Sequence, residues 1–310
     1  MADVVVLGSM NMDLVVRTRQ HPRPGETVHG TDFVTVPGGK GANQAAAAAR
    51  LGASVAIVGR VGHDDLGQAI VDNLRSQGVD ASRVRRDAQR PSGIAMIVVN
   101  DAGENTIVVA SGANGAVSVT DLESARGLLS EAHYLVMQFE IPLDTVRSAI
   151  DMAAELGLRV VLNPAPAYAV PAGFMNGVFA LVVNETEAET LAGQPVTDIA
   201  SAARAAHVLQ RQGPQVVIVT LGAAGAYFLG PDGEQYVPAH RVQVVDTTAA
   251  GDTFVGGFVA ALLMDLPLGD AVRYATCAGT LATMRLGAQT SIPRADEVQT
   301  LFERGEIALT

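Results

Sequence analysis

The sequence predicts an α/β fold built on a mostly parallel sheet between helices. Short β-branched runs recur along the chain, and an amphipathic or Ala-rich stretch follows each of them. Apolar residues fill 48% of the 310 positions, against 17% charged. Regular alternation of buried-strand and helix patterns is what a parallel sheet with crossover helices produces. The composition supplies a large core and lies well away from that of disordered chains. Length alone leaves two average domains or one large α/β unit open.

Taken in order, strands are expected at residues 3–7, 54–58, 133–137, 159–162, 179–183 and 215–220. Helices are expected at 42–51, 65–77, 142–156, 185–192 and 199–212, and a more apolar one runs to about Met264. Two stretches break the rhythm and read as antiparallel hairpins. Residues 14–36 carry Pro22, Pro24 and Gly25 in a turn, and residues 93–110 flank the turn-rich run Asn100-Asp-Ala-Gly-Glu-Asn105. They form either a small sheet laid over one edge of the core as a lid, or two surface hairpins without a role. No linker, low-complexity tract or repeat is present.

A net charge of −11 excludes a nucleic-acid or anionic-membrane surface, which needs clustered Lys and Arg. The single cysteine, Cys277, allows no intrachain disulfide and no Cys-based metal site, which fits a reducing, cytoplasmic setting. Residues 4–7 are apolar but lack the charged flank and cleavage site of a signal peptide, and residues 254–264 are too few to span a bilayer. The six histidines show no ligand spacing.

The strongest chemical signal is Asp246-Thr-Thr-Ala-Ala-Gly-Asp252 ahead of the apolar helix. Small residues at a helix start let the N–H groups of Ala249, Ala250, Gly251 and Asp252 converge on an anion, and the helix dipole adds about half a positive charge there. Asp252 is either a general base toward an alcohol or a helix cap. Pro37-Gly-Gly-Lys-Gly-Ala-Asn43 combines flexible glycines, Gly39 among them, with the donors Lys40 and Asn43. It lacks the spacing of a Walker A loop. Asn11 and Asp13, two apart after the first strand, point the same way and suit adjacent sugar hydroxyls, or else form an Asx turn. Glu140 occupies a comparable place. Asn184 and Glu187 have capping-box spacing, and Glu187 could instead orient water around Mg²⁺. The turn 220–225, with Thr220, Gly222 and Gly225, is compatible with a nucleotide passing over it.

The order of these motifs, together with Asn163-Pro-Ala-Pro-Ala167, resembles the ribokinase branch of the PfkB carbohydrate kinases over essentially the whole chain. The resemblance implies one domain over 1–310, doubly wound. It also implies a β lid from segments 14–36 and 93–110 that closes over the sugar and joins two subunits as a homodimer. It puts Asn11, Asp13, Gly39, Lys40, Asn43 and Glu140 on the sugar, with Asp252 as base. Asn184, Glu187, Thr220, Gly222, Gly225, Gly251 and Thr276 would meet the nucleotide. Asp246, Thr248, Ala282, Arg285, Gly287 and Ser291 would hold a K⁺ ion, the small residues through carbonyls. The implied reaction is phosphorylation of the 5-hydroxyl of D-ribose by MgATP. The alternatives are the same chemistry on deoxyribose, another sugar or a nucleoside, and a non-catalytic binding protein that keeps the pocket.

Overall fold

A computed structural model describes residues 2–304. The expected domain bounds, 1–310, therefore include residues outside the described ones. The chain begins β1 (Val4–Leu7), β2 (Asn11–Thr18), β3 (Gly30–Gly38), α1 (Lys40–Arg50), β4 (Val55–Gly62) and α2 (Asp65–Ser76). Then come β5 (Asp80–Asp87), β6 (Gly93–Val99), β7 (Asn105–Ala110), α3 (Val119–Ser124), α4 (Arg126–Leu129), β8 (Tyr134–Gln138) and α5 (Leu143–Leu156). β9 (Arg159–Asn163), β10 (Val178–Asn184), α6 (Glu185–Ala192), α7 (Ile199–Gln210) and β11 (Val216–Thr220) continue the alternation. The hairpin β12 (Ala226–Gly230) and β13 (Gly233–Val237) precedes α8 (Ala250–Leu263), α9 (Leu268–Ala282) and α10 (Ala295–Arg304).

The large sheet runs β13-β12-β11-β10-β9-β8-β1-β4-β5. Neighbours from β11 through to β5 pair in parallel, and only β12 and β13 are antiparallel. From β1 the chain first builds outward through β4 and β5, then returns to lay β8 and its successors on the other side. That reversal makes the carboxyl end of β1, beside β8, the crevice where open α/β sheets bind ligands. Strand alternation divides the core between two faces. Val4 and Val6 join one apolar cluster with α1, α2, α8 and α9, while Val5 and Leu7 join another with α5 and α7. Helices thus cover both faces, as the sequence predicts.

The apolar stretch before Met264 is legible in these terms. In α8 every residue from 252 to 261 is buried, because the helix lies between α1 and α9. Gly256 lets the helices approach, since a Cβ there would stand 2.5 Å from Ala47 Cβ and 2.7 Å from Ala48 N.

A second sheet, β3-β2-β6-β7, emerges from the end of β1. The two expected hairpins are present, but they meet through a parallel pairing of β2 with β6, so the sheet is mixed rather than purely antiparallel. The first hairpin also begins earlier than the expected segment, at Asn11, and β3 runs on to Gly38, while the second spans Gly93 to Ala110 as expected. β5 carries no apolar signal: Asp80, Arg83, Arg85, Arg86 and Asp87 crowd it, and only Ala81 is buried. It pairs in parallel with β4, and charge ties it further, since Arg60 of β4 and Arg85 both donate to the buried Asp121, each at 2.8 Å. No helix among the described residues is long and apolar enough to cross a membrane.

Candidate active site

Asn11 and Asp13 lie on β2 of the small sheet, not in the turn after β1. Their backbones face Gly38 and Val36 of β3. Asn11 is pinned by Asn114, whose Nδ2 donates to Asn11 Oδ1 (2.7 Å) and to Met10 O (3.0 Å), while its Oδ1 accepts from Met10 N (2.9 Å). Gly39 adopts φ +89°, and a Cβ there would sit 2.7 Å from Asn11 N, so only glycine lets α1 start against β2.

α1 starts at Lys40, earlier than expected, which places Lys40, Asn43 and Gln44 in its first turns. Glu140 secures this helix start. Its Oε2 accepts from Lys40 N (3.1 Å) and from Ser9 Oγ (2.5 Å), and Ser9 Oγ in turn accepts from Gly41 N (3.2 Å). A carboxylate at a helix N-terminus is favoured by the free N–H groups and the dipole.

Asp252 falls within the first turn of α8, since the helix begins at Ala250 rather than after the motif. Ala249, at φ 57°, is the residue that turns the chain into the helix. The carboxylate is buried, and each oxygen accepts an amide. Asn43 Nδ2 donates to Oδ2 at 3.0 Å and Gln44 Nε2 to Oδ1 at 2.9 Å. Gln44 Nε2 also donates to Asn163 Oδ1 (3.0 Å), Gln138 Nε2 donates to Gln44 Oε1 (2.6 Å), and Asn163 Nδ2 donates to Val182 O (2.9 Å). On the other side, Gln289 Nε2 donates to Asn43 Oδ1 (3.2 Å) and Asn73 Nδ2 to Gln289 Oε1 (2.6 Å). Apart from Asn43, the sequence does not single out these amides as site residues. Asn163 opens a quoted motif and Gln44 follows Asn43, but Gln138 and Gln289 carry no local signal.

Two cavities are linked here through the hydrogen-bonded pair Lys40 and Glu140, which line one each. One, of about 540 Å³, is lined by Asn11, Asn114, Glu140, Phe139 and Tyr168 among others. The second, of about 190 Å³, is lined by Lys40, Asn163, Asn184, Glu187, Thr220, Thr247, Ala249, Gly251 and Asp252. The hydrogen bond from Lys40 N to Glu140 marks their junction.

Carboxylates crowd the junction. Burial, then the charges of Glu140 and Asp252, push Asp13 up to about 7. Burial also raises Glu187, against the Asn184 amide and Lys40. Burial opposes the charge on Lys40, yet Asp252, Glu140 and Glu187 together raise its affinity for a proton, so it stays an ammonium among acids.

The other predicted residues fall in three places. Asn184 and Glu187 form the reciprocal capping box, with bonds of 2.8 and 2.9 Å, and both line the smaller cavity. Gly222 and Gly225 shape the turn after β11, at φ 52° and 106°. Thr276 is buried in α9, its hydroxyl donating to Val272 O at 2.8 Å. Asp246 joins two loops: its Oδ1 accepts from Thr248 N (2.9 Å) and Oγ1 (2.6 Å), and its Oδ2 from Gly287 N (2.8 Å). Burial opposes its ionisation, but the Thr248 and Gly287 hydrogen bonds hold its carboxyl below the usual range. The Arg285 guanidinium turns away to Glu297 at 2.5 Å, and Ser291 Oγ donates to Ala288 O at 2.7 Å. Among the described residues no group of three or more His, Cys, Asp or Glu side chains could hold a metal ion.

The architecture is the ribokinase-like α/β fold of a kinase. The chain belongs to the pfkB family of carbohydrate kinases, whose description matches residues 1–295. It is similar to a ribokinase from Haemophilus influenzae, 39% identical over 300 residues that cover 97% of this chain and 98% of that one. It is also 36% identical to a deoxyribokinase from Salmonella typhi over 302 residues, 95% of this chain and 97% of the relative. The solved structure of Arabidopsis thaliana ribokinase with ribose and ATP superposes with a TM-score of 0.89 at 30% identity, covering 97% and 99% of the two chains.

Proposed function

We propose that this chain phosphorylates the 5-hydroxyl of D-ribose with MgATP, giving D-ribose 5-phosphate and ADP. The observation that carries the reading is Asp252: a buried carboxylate with both oxygens held by amides, at the start of α8, on the wall of the cavity it shares with Lys40, Glu187, Thr220 and Gly251. Asp252 accepts the proton of the hydroxyl, and that oxygen attacks the γ-phosphorus in line. The amides of Ala249, Gly251 and Asp252 face the developing charge, as first-turn N–H groups without helical acceptors can, while the Ala250 N–H is taken by Thr247 O at 3.2 Å. Positioning supplies most of the rate.

The sugar sits between β2 and the start of α1, with Asn11, Asp13, Gly39, Lys40, Asn43 and Glu140 around it. The nucleotide lies along Asn184, Glu187, the turn 220–225, Gly251 and the α9 face near Thr276. Glu187 would orient water on the Mg²⁺ bound with ATP, an ion that usually retains several waters in such sites. A monovalent cation such as K⁺ would be favoured beside Asp246, whose ionised carboxylate bridges two loops while the Arg285 guanidinium pairs with Glu297. Asp246, Thr248, Ala282, Arg285, Gly287 and Ser291 would hold it, and its charge would steady the anion-binding turn.

The small sheet acts as a lid, and its exposed Phe33, Met96, Ile107 and Val108 suit contact with a second copy. The single cysteine, Cys277, fits a reducing setting, and the cytoplasm is the place we assign to the reaction. The 36% identity to a deoxyribokinase supports deoxyribose as the second acceptor to consider. A coupled ADP-release assay over pentoses, deoxyribose, hexoses and nucleosides tests the proposal. Ribose should give the highest kcat/KM, and a higher value for any other acceptor overturns the assignment.

A further inference from the structure

The amides that grip Asp252 have an orientation dictated from outside the site. Val182 O is a backbone carbonyl and can only accept, so the group of Asn163 facing it at 2.9 Å is the NH₂. Asn163 therefore turns its oxygen toward Gln44, which must answer with its own NH₂ at 3.0 Å. That leaves Gln44 Oε1 to accept from Gln138 Nε2 at 2.6 Å. The same Gln44 nitrogen reaches Asp252 Oδ1 at 2.9 Å. The polarity of the row is thus set by a main-chain carbonyl of β10, and a donor always faces the carboxylate. A flipped Gln44 would set oxygen against oxygen at both Asn163 and Asp252. All four side chains are buried, so no bulk water substitutes for a misplaced amide.

We infer that Gln44, held by Gln138 and Asn163, is a positioning residue for Asp252: it fixes the plane of the carboxylate and keeps one oxygen lone pair aimed at the sugar hydroxyl. This rests on the reading of Asp252 as the base. Asn43 supplies the second grip, but as a sugar contact it cannot report on positioning alone. Gln44 and Gln138 can, because neither lines either cavity.

The test compares Gln44→Met, Gln138→Met, Asp252→Asn and the double variant Gln44→Met with Asp252→Asn, using ribose and MgATP in the coupled assay. Gln44→Met, which keeps the length and removes the donor, should lower kcat roughly ten- to a hundredfold while leaving the KM for ATP and ribose binding near wild type. The acid side of its pH–rate profile should move to higher pH. Gln138→Met, freeing Gln44 to turn, should act in the same direction and less strongly. In the Asp252→Asn background Gln44→Met should cost no further activity, whereas a merely structural role makes the two losses multiply. Unchanged kcat and pH profile in Gln44→Met, with Asp252→Asn inactive, overturns the positioning role and leaves the base intact. Near-normal turnover in Asp252→Asn overturns the base assignment instead. If Gln44→Met does not fold, Gln138→Met decides by the same readouts.

Discussion

Asn43 and Asp252 lie 209 residues apart and share a hydrogen bond of 3.0 Å that ties the first turns of α1 and α8 together. The bond joins the Gly-rich start of α1, which we propose faces the sugar, to the start of α8, which we propose faces the phosphate. Asp252→Asn keeps the side-chain size and removes the proton acceptor, while its NH₂ faces one of the two amide donors. It is expected to lower kcat by roughly 10²–10⁴-fold, with ribose and ATP still bound. Steady-state kinetics together with calorimetric binding check both halves, and turnover close to wild type rules out the role.

Asp13 should oppose function and stability. Its carboxyl is raised from 3.8 to about 7 by burial and by the charges of Glu140 and Asp252. Between these values the folded chain holds a proton that the unfolded chain has released. The stabilising contribution is therefore full below about pH 4 and lost as pH rises through about 7. Asp13→Asn should raise the melting temperature at pH 8 and change it little at pH 4. The same variant should raise the KM for ribose roughly tenfold or more, because an amide replaces an anionic acceptor. In the wild type, KM for ribose should climb as pH falls below about 7. A melting temperature lowered at pH 8 by Asp13→Asn contradicts the electrostatic account.

We propose that acceptor choice rests on the same residue, through the 2-hydroxyl of the sugar. A site built to bond a hydroxyl discriminates strongly against an analogue that lacks it. Asp13→Ala should narrow the ratio of kcat/KM for ribose over deoxyribose, chiefly by loss on ribose. A ratio that stays at the wild-type value moves recognition of the 2-hydroxyl elsewhere.

At Gly256 α8 packs closely against α1. Gly256→Ala adds a methyl within 2.7 Å of the Ala48 nitrogen and closer still to Ala47. Backbone cannot give way as a side chain can. The helix-propensity gain of about 1 kcal/mol is offset by overpacking of about 1–3 kcal/mol. Denaturant unfolding should show a net loss of stability, and kcat should fall as well, because the bonds from Asn43 and Gln44 to Asp252 cross this interface. Unchanged stability argues for a looser contact.

Asp246→Ala should abolish the response to K⁺. The carboxylate bridges Thr248 and Gly287, so its removal frees two loops as well as a charge. Activity in K⁺ relative to a bulky organic cation should drop toward unity, and the rise in melting temperature on adding K⁺ should disappear. A K⁺ response kept by the variant places the cation elsewhere.

Much of the architecture was legible in the chain itself. β-branched runs of four to eight residues mark fully buried strands, and the Gly, Asn and Asp motifs sit where those strands end because tight turns need those residues. Local physics determines both. β5 and α8 show the limits from opposite sides. The first is a charged edge strand whose partner, Asp121, is remote in sequence, and the second is apolar all round because two other helices enclose it. Around Asp252, the sequence determined the acid, the small residues before it and the family that the ordered motifs identify. Only the tertiary structure decided that Gln44, Gln138, Asn163 and Gln289 surround it, and which way their amides point. A buried glutamine carries no periodic or spacing signal. Its meaning lies in partners about a hundred to two hundred and fifty residues away, and a hydrogen bond across that distance exists only after the core has closed.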